Sequence, residues 1–466
     1  MPQTSTDLTH IPALVARQKQ WIAQGHSRDV DVRRQQIRRL LSAVEAAEGD
    51  LLEAMQQDLA KPATEAWLTD IGTVLEEGEH VLKNLRQWMR PRKAATPWMH
   101  SPSSAYQLPE PYGVVAVIGP WNYPVSMLLV PTIGALAAGN AVIIKPSEFV
   151  PYTNAVLGRL ITDTFPVEEV AWLPGAIPET TALLSEPLDY IFFTGSPAVG
   201  RIVMQAAARH LTPVTLELGG KSPVILDEHV DLEVATRRIV WGKCLNAGQT
   251  CVAPDYLLVH RKVKAEALAW MQRHLRDFFG PDPQQSPDFG RIIHDRHVAR
   301  LAGLIEGQIV TGGQVDVADR YVAPTLIEVD NPETHPAMQE EIFGPILPII
   351  PYDRLEEAIR FINARPKPLA LYVFTTRSRV RQAVIERTSS GSVCVNDLVV
   401  QVGLSDLPFG GVGESGMGSY HGQRSFDTFS HLKSVMRRNF LADAPGRFAP
   451  YRVPLALLKP LIRWLG

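Results

Sequence analysis

Gly248-Gln249-Thr250-Cys251 puts a thiol on a turn where a predicted helix has just ended, outside any apolar run. A thiol so placed can face a cleft, and its thiolate is a strong nucleophile once its pKa is lowered. The bland alternative, a small buried hydrophobe, suits Cys244 and Cys394 well. Glu217 is the second candidate, in Leu216-Glu217-Leu218-Gly219-Gly220-Lys221-Ser222. A carboxylate bracketed by apolar strand residues is costly to bury without a partner. It is either a salt-bridged strand end or a general base whose pKa burial has raised. Gly220-Lys221-Ser222 imitates the end of a P-loop, but the required first glycine falls on Thr215, which excludes that motif.

Three further stretches follow predicted strands. In Phe193-Thr194-Gly195-Ser196-Pro197-Ala198-Val199-Gly200, Gly195 permits a tight turn and a helix opens at Ser196. A helix N-terminus offers free N–H groups and a positive dipole end to a phosphate. The spacing is not the dinucleotide fingerprint, however, and a plain turn with a Ser N-cap reads the same. Pro120-Trp121-Asn122-Tyr123-Pro124 forms a rigid turn in which Asn122 either caps the backbone or donates its amide to a developing oxyanion. Lys145-Pro146-Ser147-Glu148 offers an ammonium and a carboxylate to ribose hydroxyls.

The elements that must position these residues can be read from periodicity. Ile37, Leu40, Leu41, Val44, Leu51, Leu52, Met55 and Leu59 recur at helical steps until Lys61-Pro62 stops the run, and a second helical stretch covers about 66–89. The uncharged run from Pro111 to Ile144 exceeds the roughly 20 residues a membrane span needs. Its Pro and Gly breakers make it instead a strand (114–118), a helix (126–138) and a second strand (141–144). A helix at about 153–164 follows, then strands near 170–173, 190–193 and 214–218. This alternation predicts a doubly wound parallel α/β domain. A second α/β domain has strands at 224–226, 256–260, 346–350, 369–374 and 392–395.

Composition narrows the function classes. The chain has 466 residues, 46 Lys+Arg against 49 Asp+Glu and a net charge of −3. Nucleic acid as the main partner normally demands a basic face, so it is excluded as an expectation. Three cysteines without a CxxC pair make neither a disulfide framework nor a structural zinc site. The first residues lack the basic and apolar regions of a signal peptide, which points to the cytoplasm.

Together the motifs resemble the aldehyde dehydrogenase superfamily over essentially the whole chain. Pro-Trp-Asn, Lys-Pro-Ser-Glu, Phe-Thr-Gly-Ser, Glu-Leu-Gly-Gly-Lys and Gly-Gln-Thr-Cys occur in the family's order, followed by Glu341-Ile342-Phe343-Gly344-Pro345 and Pro408-Phe409-Gly410-Gly411. Trp241-Gly242-Lys243, Ala253-Pro254-Asp255-Tyr256, Gly418-Ser419-Tyr420-His421-Gly422 and Ser425-Phe426-Asp427-Thr428-Phe429 are similar to the class 3 branch, which includes the fatty-aldehyde enzymes. The resemblance implies a Rossmann-like NAD(P)-binding domain (1–90 and 112–216) and a catalytic domain (217–407). It also implies a bridging or oligomerisation element (91–111 and 423–445), a C-terminal tail (446–466) and a homodimer.

It implies roles too. Cys251 is then the nucleophile, and Asn122 with the Cys251 amide forms the oxyanion hole. Glu217 activates the water that hydrolyses a thioester. Lys145, Glu148 and Glu341 hold the riboses of NAD or NADP, Thr194, Gly195, Ser196 and Gly200 lie near the pyrophosphate, and Phe343 lies beside the nicotinamide. The expected substrates are medium- or long-chain aliphatic or aromatic aldehydes. Gln401 departs from the histidine common in class 3, which bears on substrate preference. The rival readings are a cysteine thioesterase or hydrolase without redox chemistry, and a catalytically silent binding homologue. Lys433, Arg437, Arg438, Arg447, Arg452, Lys459 and Arg463 face only Asp443, so the basic, apolar tail can rest on an anionic bilayer. The favoured alternative is a tail packed on a dimer partner, because Pro454 and Pro460 interrupt any long helix.

Overall fold

The computed structural model describes residues 8–97, 100, 102–440, 443 and 447–465. The interior strands Val114–Ile118, Ala141–Lys145 and Tyr190–Thr194 are apolar runs because both faces of their sheet are covered, as the burial of Val114–Ile118 along its whole length shows. Strand order across this six-stranded sheet is 416–417, 214–217, 190–194, 114–118, 141–145, 170–172, and all but the first pair are parallel. The chain therefore steps outward one way from 114–118 and then reverses to 190–194. That reversal is a topological switch point, and the crevice beyond the carboxyl ends of such strands is where α/β sheets bind ligands.

Register decides what reaches that edge. Ile118 pairs with Lys145 and Phe193, and Thr194 pairs with Glu217. The Asn122 turn, Lys145, Thr194 to Ser196 and Glu217 thus share one end of the sheet. Helices Ser126–Ala138 and Pro151–Thr164 cover one face of this sheet, and the N-terminal helices Val30–Ala46, Glu48–Leu59 and Gly72–Trp88 pack on those two, so that Ile37, Leu40, Val44 and Leu85 join Leu129, Ile133 and Leu136 in the core. Burying each of these side chains contributes about 1.5–3 kcal/mol.

A seven-stranded sheet forms the second domain, in the order 308–311, 325–328, 346–352, 256–260, 223–226, 370–374, 392–395. Only the first pair is antiparallel. Strands Arg92–Ala94, Ser103–Pro111 and Ser430–Arg438 make a separate three-stranded sheet.

The five strands expected for the second domain are present, as is helix Ser126–Ala138, which carries Pro131 inside it. Strands 308–311 and 325–328 were not anticipated, and neither was the pairing of 103–111 with 430–438. Residues 430–438 read Ser-His-Leu-Lys-Ser-Val-Met-Arg-Arg, a basic surface-like run whose partner is more than 300 positions away. The tail also differs from expectation: an 11-residue helix, Leu455–Leu465, runs through Pro460. Pro454 lies just before it, where a missing N–H costs nothing, and Pro460 removes one internal hydrogen bond from a short helix.

Candidate functional site

The Cys251 thiol is presented by an unusual piece of backbone. Helix Leu232–Cys244 ends, and Asn246, Ala247 and Gly248 then all take left-handed conformations with φ of 51°, 50° and 74°. Only glycine adopts this geometry without penalty, and a side chain at Gly248 would strike the Gly344 carbonyl. Gln249 anchors the turn from inside: its Nε2 donates to Asn246 O (3.1 Å) and Arg291 O (2.9 Å), and its Oε1 accepts from Ile293 N (2.9 Å).

Asn122 is buried, and its Nδ2 donates one N–H to Gln249 O at 2.9 Å. An amide nitrogen carries two hydrogens, so the second stays available to the cavity while the first locks the rotamer against the Cys251 loop. Glu217 ends strand Val214–Glu217, where its carbonyl accepts from Gly195 N (3.0 Å) and its Cα pairs with Gly416. Both carboxylate oxygens are buried without a hydrogen-bond partner. The salt-bridged strand end is therefore not what the structure shows.

Cys251, Glu217 and Asn122 line one cavity of about 240 Å³, together with Thr194, Gly195, Ser196, Glu341 and Phe343. Its other walls are Pro120, Trp121, Met127, Leu218, Gly219, Leu369, Phe409 and Tyr420. Two carboxylates face it and no cationic side chain does. Burial alone holds the Glu217 carboxyl well above its ordinary value. Burial, then the charges of Glu341 and Glu217, pushes the Cys251 thiol up to about 12, against the pull of the Cys251 and Val252 amides. Burial, reinforced by Asp255, pushes Glu341 up to about 8, opposed by the Gly220 N–H, Lys221 and Lys243. Acidic groups crowded into a dry cavity resist ionising together.

The loop carrying Glu341 and Phe343 is clamped. Arg300 donates to the carbonyls of Ile342 and Glu341, and the neutral His297 donates from Nε2 to Phe343 O at 2.7 Å. Phe343 itself has φ 51° and meets Trp121 edge-on at 5.5 Å. Lys221 reaches Ala337 O (2.7 Å) and Glu340 O (2.8 Å) and pairs with Asp255, so it pins the segment leading to Glu341.

Ser196 caps helix Pro197–Ala208, and Gly200 packs against Leu218 so closely that a Cβ would collide. The Thr194 hydroxyl is buried without a partner. A larger cleft of about 740 Å³, lined by Ala198, Arg201, Lys221, Arg300, Arg365 and Lys367 among others, shares Ser196, Gly219 and Glu341 with the smaller cavity. Lys145 and Glu148 border neither. Lys145 is buried with Nζ on Pro146 O (2.7 Å) and Gly175 O (2.6 Å), and burial holds it below its ordinary value. Glu148 is exposed. Gln401 also stays outside the cavity: its Nε2 lies 3.3 Å from the Tyr372 hydroxyl, which donates to Val252 O at 2.6 Å.

Tyr420, Met127, Phe409 and Leu369 complete the wall without having been singled out from sequence. Tyr420 and Phe409 belong to family-like motifs to which no role attached, and Met127 and Leu369 are apolar residues with no chemical signature of their own. Among the described residues, no three His, Cys, Asp or Glu side chains are placed to hold a metal ion.

Fold and site together define an α/β protein of two parallel-type sheets, with a cysteine and an unpaired carboxylate in a small cavity that shares Ser196, Gly219 and Glu341 with a larger cleft. The aldehyde dehydrogenase family model matches residues 7–435. The chain is 45% identical over 440 residues to the 4,4'-diaponeurosporen-aldehyde dehydrogenase of Staphylococcus aureus, covering 94% of this chain and 96% of that one. It is 46% identical over 438 residues to a dimeric, NADP-preferring aldehyde dehydrogenase of Canis lupus familiaris, again covering 94% and 96%. A substrate-bound structure of Staphylococcus aureus AldH superposes with a TM-score of 0.94 at 44% identity, over 97% of this chain and 99% of that one. The chain belongs to the aldehyde dehydrogenase family.

Proposed function

We propose that the protein oxidises medium- or long-chain aliphatic or aromatic aldehydes to carboxylic acids, with NAD or NADP as hydride acceptor. The observation that carries this is a nucleophile, Cys251, sharing a mostly apolar cavity with Glu217, whose carboxylate has no partner. A nicotinamide cofactor fits the residues present. Thr194 leaves a buried hydroxyl unpaired, the Ser196 helix N-terminus faces the cleft, and two carboxylates without a cation suit a positively charged ring. When bound it supplies the acceptor for the aldehyde hydrogen, which a cysteine and a glutamate alone cannot provide.

In this reading the Cys251 S–H bond breaks as the sulfur adds to the aldehyde carbon, and its proton passes through Glu217, which lines the same cavity, to solvent. The free N–H of Asn122 and the Cys251 amide hold the oxygen that gains charge. Loss of hydride leaves a thioester on Cys251, and Glu217 takes a proton from the water that cleaves it, restoring the thiol and releasing the acid. Glu341, Lys145 and Glu148 are assigned to the riboses, Thr194, Gly195, Ser196 and Gly200 to the pyrophosphate, and Phe343 to the nicotinamide ring. Residues 1–90 and 112–216 serve as the cofactor domain and 217–407 as the catalytic domain.

The test is NAD(P)H absorbance over a panel of aldehydes of increasing chain length, run with both cofactors. Turnover is expected to rise with chain length, and a flat, cofactor-independent response would sink the reading. Glu148→Gln should lower the KM for NADP relative to NAD by about fivefold, since repulsion between two exposed charges is worth about 1 kcal/mol. An unchanged KM ratio would remove Glu148 from cofactor discrimination.

Residues 91–111 and 423–445 are the proposed dimer element. Among the described residues, strand Ser430–Arg438 lies at the edge of its sheet, and so does Ser392–Val395, which is only half-buried while its neighbour Ala370–Phe374 is fully buried. Edge strands of this kind invite pairing with a second copy. The tail is proposed to touch an anionic membrane. Phe448, Tyr451, Leu455 and Leu457 are exposed beside the exposed Arg452, Lys459 and Arg463. This would be contact from one side, since among the described residues no helix is long and apolar enough to cross a membrane. The intact chain is expected to float with anionic phospholipid vesicles and a chain truncated at Pro450 to stay behind. Equal flotation would reject the idea, and a shift from dimer to monomer on truncation would assign the tail to the partner subunit.

A further inference from the structure

Behind the cavity lies a charged cluster that none of the assignments above uses. Lys61 and Asp70 are wholly buried, their Nζ and Oδ2 2.7 Å apart. Lys61 comes just after helix Glu48–Leu59, and Asp70 sits in the widened turn Trp67–Ile71. An ion pair taken fully out of water costs more than its mutual attraction returns unless further hydrogen bonds satisfy it. Those bonds all run toward the Asn122 turn. Asp70 Oδ1 accepts from Val125 N (3.1 Å) and Ser126 N (3.0 Å), which caps the helix that follows the turn. Lys61 Nζ lies 3.9 Å over the Tyr123 ring and 3.4 Å from Asn122 O.

Glu65, on the same short stretch of chain, reaches the other arm. Its Oε1 accepts from Asn246 N at 2.8 Å, at the first of the left-handed residues that present Cys251. The Asn246 side chain then closes the circuit, donating to Asn122 O at 2.8 Å and to Gln249 O at 3.3 Å. Two loops that meet at the cavity are thus tied to one cluster on the N-terminal helical layer, and to each other through it.

We propose that Lys61, Glu65 and Asp70 are positioning residues for the catalytic centre, holding the Asn246–Gly248 turn and the Asn122 peptide in the mutual register that aims the Asn122 amide and the Cys251 amide at one oxygen. The inference rests on the oxyanion role given to those amides under the proposed function. None of the three touches substrate or cofactor. Glu65 acts as an acceptor for a backbone N–H, so glutamine can replace it and leucine cannot.

The test compares Glu65→Gln with Glu65→Leu in the full chain, by two readouts. In the first, the pre-steady-state burst of NAD(P)H is expected to fall about 10²-fold in the leucine variant, the penalty of an ångström-scale misplacement, with little change in aldehyde KM. The glutamine variant should keep nearly the full burst. In the second, amide hydrogen exchange in the segment 245–252 is expected to speed up with leucine and stay as in the parent with glutamine. Unchanged exchange in the leucine variant overturns the proposal whatever the activity, and so does a glutamine variant as impaired as leucine. If Glu65→Leu fails to fold, Glu65→Ala carries the same comparison. A parent protein with no aldehyde-dependent burst would overturn the functional reading instead, and the exchange data would still decide whether Glu65 holds the turn.

Discussion

Replacing Cys251 with Ala is expected to lower aldehyde-dependent NAD(P)H formation by about 10⁴-fold or more, because removing a covalent nucleophile leaves only binding and oxyanion stabilisation. The size of the loss separates the rival roles of the three cysteines. Cys394 sits half-buried on the edge strand Ser392–Val395 and lines neither the cavity nor the cleft, so Cys394→Ser should keep nearly all activity. The thiol pushed up to about 12 also predicts how Cys251 meets reagents. Alkylation by iodoacetamide, followed by peptide mass mapping, should be slow at neutral pH and accelerate through the alkaline range without a plateau near 8. Retained NAD reduction in Cys251→Ala would eliminate the nucleophile assignment. An alkylation plateau near neutrality would instead show that the cavity favours the thiolate already at rest.

What was legible in the sequence and what was not divide along a physical line. Strands Val114–Ile118 and Ala141–Lys145 were readable because burial on both faces writes itself as an unbroken apolar run. Cys251, Glu217 and Asn122, which the fold brings to one cavity, stood out in the sequence because each is a reactive or polar group within three residues of a glycine or proline that fixes the backbone. Strand 430–438 was not, since its pairing with 103–111 is non-local and its composition resembles surface. Tail helix 455–465 is short enough to escape the expected interruption of a long helix: Pro454 only precedes it, and Pro460 only removes one bond. The Lys61–Asp70 pair was invisible for a related reason: each side chain alone reads as a solvated charge. Only the fold shows that the two face each other out of water, 2.7 Å apart. Sequence also could not place Lys145, whose ammonium gives two of its three N–H groups to backbone carbonyls and keeps one for a ligand.

Glu217→Gln separates chemistry from architecture more sharply than any other single change. Glutamine keeps the shape and cannot take a proton, so hydrolysis of the thioester should slow by about 10²–10⁴-fold while its formation continues. Intact-protein mass spectrometry after mixing with aldehyde and cofactor should therefore find an acyl adduct on Cys251; turnover unchanged with no adduct would overturn the role. The same substitution has a predictable effect on stability. Glu217 is buried without a partner, and its carboxyl is raised well above the value of 4.5 it has when exposed. The native state thus binds this proton more tightly than the unfolded chain does. Unfolding free energy must then fall as pH rises from about 4.5 through the raised value, and the loss is complete above it. Glutamine carries no such penalty. Glu217→Gln should accordingly match the parent in Tm near pH 4 and surpass it increasingly toward pH 8, the opposite of what removing a salt-bridged carboxylate would do. A mutant that is less active, acylated and more stable at alkaline pH is the signature of a carboxylate kept for its reactivity at the fold's expense. A variant destabilised most at high pH would mean that Glu217 has a cationic partner in solution, and the general-base assignment would lose its electrostatic foundation.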